Sequence, residues 1–157
     1  MAKILASFEI PEAVIHLESE RDPGSMSEDD LNWCFGGSFK LLDAETKQSL
    51  LILPEASLLG LAVDLQRVVS ELCEAGSASV RDKEGAFSLV FSLVNGRVHV
   101  ADEFSDQAFE ADVSELNHAV KQFVNGIVAA LRKAFPQLED NSNFVTLVEK
   151  LRFERIE

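Results

Sequence analysis

Two segments of the chain repeat apolar residues at the spacing of an amphipathic helix. The first begins after Ser57, a possible N-cap, and ends before Gly76, and its apolar residues are Leu58, Leu61, Leu65, Val68, Val69 and Leu72. The second begins at Asp112, whose spacing to Glu115 is typical of a capping box, and its apolar residues are Leu116, Val120, Phe123, Val124, Ile127 and Leu131. A helix with one apolar stripe must cover another apolar surface, so both helices require a sheet or each other.

Alternating or apolar runs elsewhere predict strands over 3–10, 35–43, 49–53, 79–82, 86–94 and 97–104. Asn95-Gly96 between two such runs predicts a tight hairpin, because both residues tolerate a positive φ. Pro54 is expected to stop the third strand. The sequence therefore predicts one α+β domain over 1–157. Its mostly antiparallel, twisted sheet of about five to seven strands carries both long helices on one face, and a short C-terminal helix follows over about 143–150.

The remaining segments carry weaker signals. Pro11 should interrupt the first strand, 13–17 should resume an extended conformation, and 19–30 should form a loop. Gly126 lies within the second long helix, where a kink or a tight contact between helix and sheet would explain it. The charged tail 151–157 is expected to be either a final strand or a frayed end.

The charge balance limits the classes of partner. The chain has 27 acidic and 14 basic residues, giving a net charge of −13, which disfavours binding to nucleic acid or to an anionic membrane. The same charge would attract a basic protein, although solubility alone is the simpler explanation. Cys34 and Cys73 are expected to be free thiols, and no signal peptide or membrane span is evident, so we expect a cytoplasmic protein.

Residues that could support catalysis or bind a cofactor do not form a recognisable motif. The three histidines, His16, His99 and His118, have no metal-ligand spacing to each other or to the cysteines. Gly36-Gly37 leads into a strand, whereas a phosphate-binding loop leads from a strand into a helix. We therefore expect no catalytic residues, no metal and no cofactor.

The distribution of acid points to a candidate partner-binding segment. Six acidic residues and no base lie between Ala101 and Asn117, and six more lie between Glu18 and Asp30 with Arg21 as the only base. Charges of one sign steer a partner and a few apolar side chains hold it. The candidate residues for such binding are Asp102, Glu103, Phe104, Asp106, Phe109 and Glu110.

Three segments, 35–39, 60–65 and the hairpin 87–100, give the chain a layout that resembles the small, acidic, one-domain immunity proteins found beside bacterial toxins. The resemblance implies a non-enzymatic inhibitor that neutralises a basic protein by covering its working surface. Two alternatives remain open at this stage. One is a general interaction or scaffold module that could form a homodimer through a sheet edge, and the other is an enzyme of a type that the sequence does not reveal.

Overall fold

The structure is a computed structural model that describes residues 3–154 and the side chains of residues 3–151. Within this range seven strands form two antiparallel sheets. The first sheet contains β1 (Ile4–Glu9), β2 (Gly36–Asp43) and β3 (Ser49–Ser57), in that order. The second contains β4 (Ser77–Arg81), β5 (Ser88–Val94), β6 (Arg97–Asp102) and β7 (Ala108–Asp112), also in that order. The α+β class and the antiparallel pairing are confirmed.

Five α-helices lie in the same described range. They are α1 (Glu12–Ser19), α2 (Glu28–Trp33), α3 (Leu58–Ala75), α4 (Val113–Ala134) and α5 (Ser142–Glu154), with short 3₁₀ turns at Pro23–Ser25 and Pro136–Asp140. The long helices α3 and α4 pack against each other; α4 also covers β1, and α3 also contacts β4. The ring of Phe123 on α4 lies 5.7 Å from that of Phe8 and 4.6 Å from that of Phe39, which places the centre of the core between α4 and the first sheet.

The expectation of one shared sheet is wrong, because β3 and β4 do not pair. Helix α3 begins directly after β3, and Gly76, at a φ of 78°, then turns the chain into β4. Strand β4 and the three strands after it build a separate sheet. The two sheets meet at their outer strands, where the side-chain amide of Gln107 bridges to β3. Gln107 Oε1 accepts from the N–H of Ile52 at 2.6 Å, and Gln107 Nε2 donates to the Ile52 carbonyl at 3.0 Å.

Several predicted local features are confirmed. Asn95 and Gly96 adopt φ of 52° and 80° and join β5 to β6 in a tight hairpin. Glu115 Oε1 accepts from the N–H of Asp112 at 3.0 Å, as a capping box requires. A Cβ on Gly126 would lie 3.1 Å from the Phe8 ring, so this glycine marks a close approach of α4 to the first sheet.

The N-terminal third contains more helix than expected. Residues 13–17 belong to α1 instead of an extended segment, because Pro11 ends β1 and its carbonyl accepts from the N–H groups of Val14 and Ile15. Part of the expected loop 19–30 is helical too. Ser27 caps α2 by accepting from the N–H of Asp30 at 3.1 Å.

Three strand and helix boundaries also differ from expectation. Strand β3 continues through Pro54 to Ser57, because its outer edge needs no backbone donor at that position. Strand β6 ends at Asp102, and the acidic segment after it turns and returns as β7, which the sequence did not reveal. Helix α5 extends into the charged tail as far as Glu154, and the rest of that tail lies outside the described residues.

Candidate binding cleft between the two sheets

An open cleft follows the outer edge of β3 between the two sheets. One half, of about 380 Å³, lies between Trp33 and the turn that joins β4 to β5. The other half, of about 360 Å³, lies between β3 and the turn that joins β6 to β7. Pro54, Glu55 and Ala86 line both halves, so the two halves adjoin at these residues.

Trp33 forms a wall of the first half. It is the last residue of α2, and its ring is 46% exposed while the neighbouring Phe35 is fully buried against Phe135. The backbone is held at Trp33 and at Phe35, two residues later. Ser57 Oγ donates to the Trp33 carbonyl at 2.6 Å, and the N–H of Phe35 donates to the buried carboxylate of Glu18 at 2.8 Å. These two hydrogen bonds fix the backbone that carries the Trp33 ring.

Charged side chains surround this ring. Lys83 Nζ lies 5.1 Å from the centroid of the Trp33 ring, within the range of a cation–π interaction. Three carboxylates, those of Glu55, Asp82 and Glu84, line the same half of the cleft. Lys83 is the only base lining this half among the described residues, so the half carries an excess of negative charge.

Phe104 marks the opposite end of the cleft and is 55% exposed. Its turn is organised by the buried side chain of Asp102. Asp102 Oδ1 accepts from the N–H groups of Ser88 at 3.0 Å and Phe104 at 3.1 Å, and Oδ2 accepts from Ser105 Oγ at 2.9 Å. Burial by itself would raise the pKa of Asp102, but these three hydrogen bonds outweigh it and lower the pKa below its usual range.

The six candidate partner-binding residues do not form one acidic patch. Asp102 is buried in its turn, and Glu103 Oε1 accepts from Ser88 Oγ at 2.6 Å. Glu110 faces Arg97 at 3.3 Å and His99 at 3.4 Å, and Phe109 is half-buried against the core. The sequence indicated free acid along the whole segment. The sheet instead places Arg97 on β6 across from β7, where it contacts Glu110 and, at 2.7 Å, Asp112.

Phe104 and Asp106 are the two candidates whose side chains remain exposed without a hydrogen bond or ion pair in the described part of the chain, and Phe104 alone of these two lines the cleft. Sequence reasoning missed Trp33, Glu55, Asp82 and Glu84. Trp33 was noticed only as the single tryptophan, and nothing in the spacing of the four indicated that they would meet.

The two cysteine thiols do not line the cleft. Burial raises the pKa of the Cys34 thiol, which belongs to the core and lies 3.7 Å from Arg21 Nη1. Over the residues that the structure describes, no three histidine, cysteine or acidic side chains come close enough together to hold a metal ion.

Comparison of the chain with protein-family models, with curated proteins and with solved structures finds no match. Among the helices of the described range, none has both the length and the apolar character needed to cross a membrane.

Proposed function

We propose that this chain is a non-enzymatic binding protein that neutralises a basic protein by covering its surface, as the resemblance to immunity proteins implies. The observation that supports the proposal is the cleft itself. Each half contains an exposed aromatic ring, and the unpaired carboxylates of Glu55 and Glu84 line the cleft. Buried aromatic anchors supply most of the binding energy at protein interfaces, and surrounding charges accelerate the encounter of the partners.

The binding surface in this proposal differs from the one that the sequence suggested. Glu55 and Glu84 are exposed and have no hydrogen bond or ion pair among the described side chains, so both are available to a cation. Glu110 and Asp112 are matched by Arg97, and Asp102 is held by its own turn. Only the exposed end of the predicted segment, Phe104, belongs to the surface that we propose.

The test compares two double variants of equal net charge. Glu55→Lys with Glu84→Lys reverses the charge of the cleft, whereas Glu74→Lys with Glu149→Lys reverses exposed charges on α3 and α5 outside it. Each immobilised protein is incubated with the proteins of its native cell, and bound protein is eluted with salt. We expect the unchanged chain and the α3/α5 variant to retain the same basic protein, and the cleft variant to lose it. Retention by all three proteins, or by none, would refute the proposal.

A further inference from the structure

We infer that Trp33 is the receptor for a single arginine or lysine side chain of the partner, and that Lys83 occupies this receptor when the partner is absent. The inference rests on the proposed function and names the chemistry of the bound group. It starts from the ring, which is about half exposed although every other large aromatic side chain near it is buried. A ring that serves only the core would not need this exposure.

The position of Lys83 shows what kind of group this ring accepts. Its ammonium lies over the ring at 5.1 Å and is carried by an exposed turn, between residues 82 and 86, whose other side chains are acidic or small. Lys83 makes no ion pair with Glu84 or Asp82 within the described residues, although both are its neighbours in the chain. The cation therefore lies over the ring without pairing with the carboxylates beside it in the chain, and the carboxylate of Asp64 on α3 also attracts it.

A partner's cation would be bound more strongly at the Trp33 ring than the Lys83 ammonium is. It would reach the Trp33 ring together with the carboxylates of Glu55 and Glu84, which line the same half of the cleft. Arginine suits the place best, because its planar guanidinium stacks on an aromatic face and is more weakly hydrated than an ammonium. Gly36 and Ala56 line the same half of the cleft, and their lack of bulk leaves room for a long side chain beside the ring.

Binding of a cation at Trp33 can be followed directly by the fluorescence of the protein. Trp33 is the only tryptophan and there is no tyrosine, so the intrinsic fluorescence of the protein comes from the proposed receptor. The probe is a short capped peptide in which arginine alternates with valine. The control peptide replaces arginine by citrulline, which has nearly the same shape and no charge.

We expect the arginine peptide to change the Trp33 emission in a saturable way and the citrulline peptide to leave it unchanged. Lys83→Ala should strengthen binding of the arginine peptide by about three- to tenfold, because it vacates the ring and removes a like charge. Glu55→Lys with Glu84→Lys should weaken binding by at least the same factor. The double variant on α3 and α5 should bind as the unchanged chain does.

Three results would overturn the inference. They are equal responses to the two peptides, no response at millimolar peptide, and weaker binding by Lys83→Ala. A purely structural contact between Lys83 and Trp33 predicts the last of these, because its loss would only loosen the turn. If Trp33→Ala, with an unchanged unfolding midpoint, still retains the cellular partner while the cleft charge variant loses it, the receptor is refuted and the proposed function stands.

Discussion

Replacing Asp102 by alanine tests whether its carboxylate stabilises the fold or serves to bind a partner. The change removes three acceptor contacts, but their consequences differ. The N–H of Ser88 is buried, with 2% of that residue exposed, and would lose this acceptor, whereas the exposed donors of Phe104 and Ser105 can bond to water. A hydrogen bond to a charged acceptor contributes about 1.5–3 kcal/mol, and an unpaired buried donor costs a similar amount.

We therefore expect Asp102→Ala to lower the free energy of unfolding by about 2–3 kcal/mol. For a chain of this length, that corresponds to a fall in Tm of roughly 4–12 °C. Urea unfolding followed by circular dichroism measures the first quantity and differential scanning calorimetry the second. Asp106→Ala is the matched control, because Asp106 lies in the same turn, is exposed and has no bonded partner in the described range; it should change stability by less than about 0.5 kcal/mol.

The effect should depend on pH in a defined direction. The native pKa of Asp102 lies below its ordinary value of 3.8, so its carboxylate stabilises the fold fully above pH 3.8 and loses that contribution as the pH falls through the native pKa. Asp102→Asn keeps an acceptor for Ser88 but has no charge. The difference in stability between the unchanged chain and Asp102→Asn should therefore be largest near neutral pH and shrink toward pH 2. A difference that stays constant or grows in acid, or an Asp102→Ala protein as stable as the unchanged chain, would refute the reasoning.

Two further predictions concern the core. Gly60→Ala would normally stabilise a helix by about 1 kcal/mol, but here the added methyl would press against the carbonyl oxygen of Asn32. We expect a net loss of about 1–3 kcal/mol in urea unfolding, and a variant more stable than the unchanged chain would contradict the close contact between α2 and α3. With a thiol-specific reagent at neutral pH, exposed Cys73 should react rapidly in the native protein. Cys34 should react only on unfolding, because burial raises the pKa of its thiol. Rapid reaction of both thiols in the native protein would show that Cys34 is accessible.

The elements that the sequence predicted well are those whose signals are local. A glycine after the last turn, a capping box and an Asn-Gly pair each act within a few residues, so α3, α4 and the hairpin of β5 and β6 follow from the chain alone. The elements that were missed have short or misleading local signals. Helix α1 has only eight residues, and β7 consists of acidic and small residues around Phe109.

The candidate site was predicted far less well than the fold. Counting acids along one segment selected Asp102 and Glu110, and both have partners that come from another strand or another part of the turn. Charge pairing across strands depends on register, and register follows from packing on the core face. The acidic segment therefore suggested a surface whose charge is partly neutralised in the folded protein.

By itself, the sequence determined the two long helices, the antiparallel pairing of neighbouring strands and the excess of negative charge, because each depends on residues close together in the chain or on composition. Only the tertiary structure decided that the strands divide into two sheets and that a cleft lies between them. The bridge from Gln107 to Ile52 spans 55 positions, and the cleft joins α2, the edge of β3 and two turns of the second sheet. Such contacts arise when separate elements bury their apolar faces on one core, and no pattern of neighbouring residues encodes which edges will then meet.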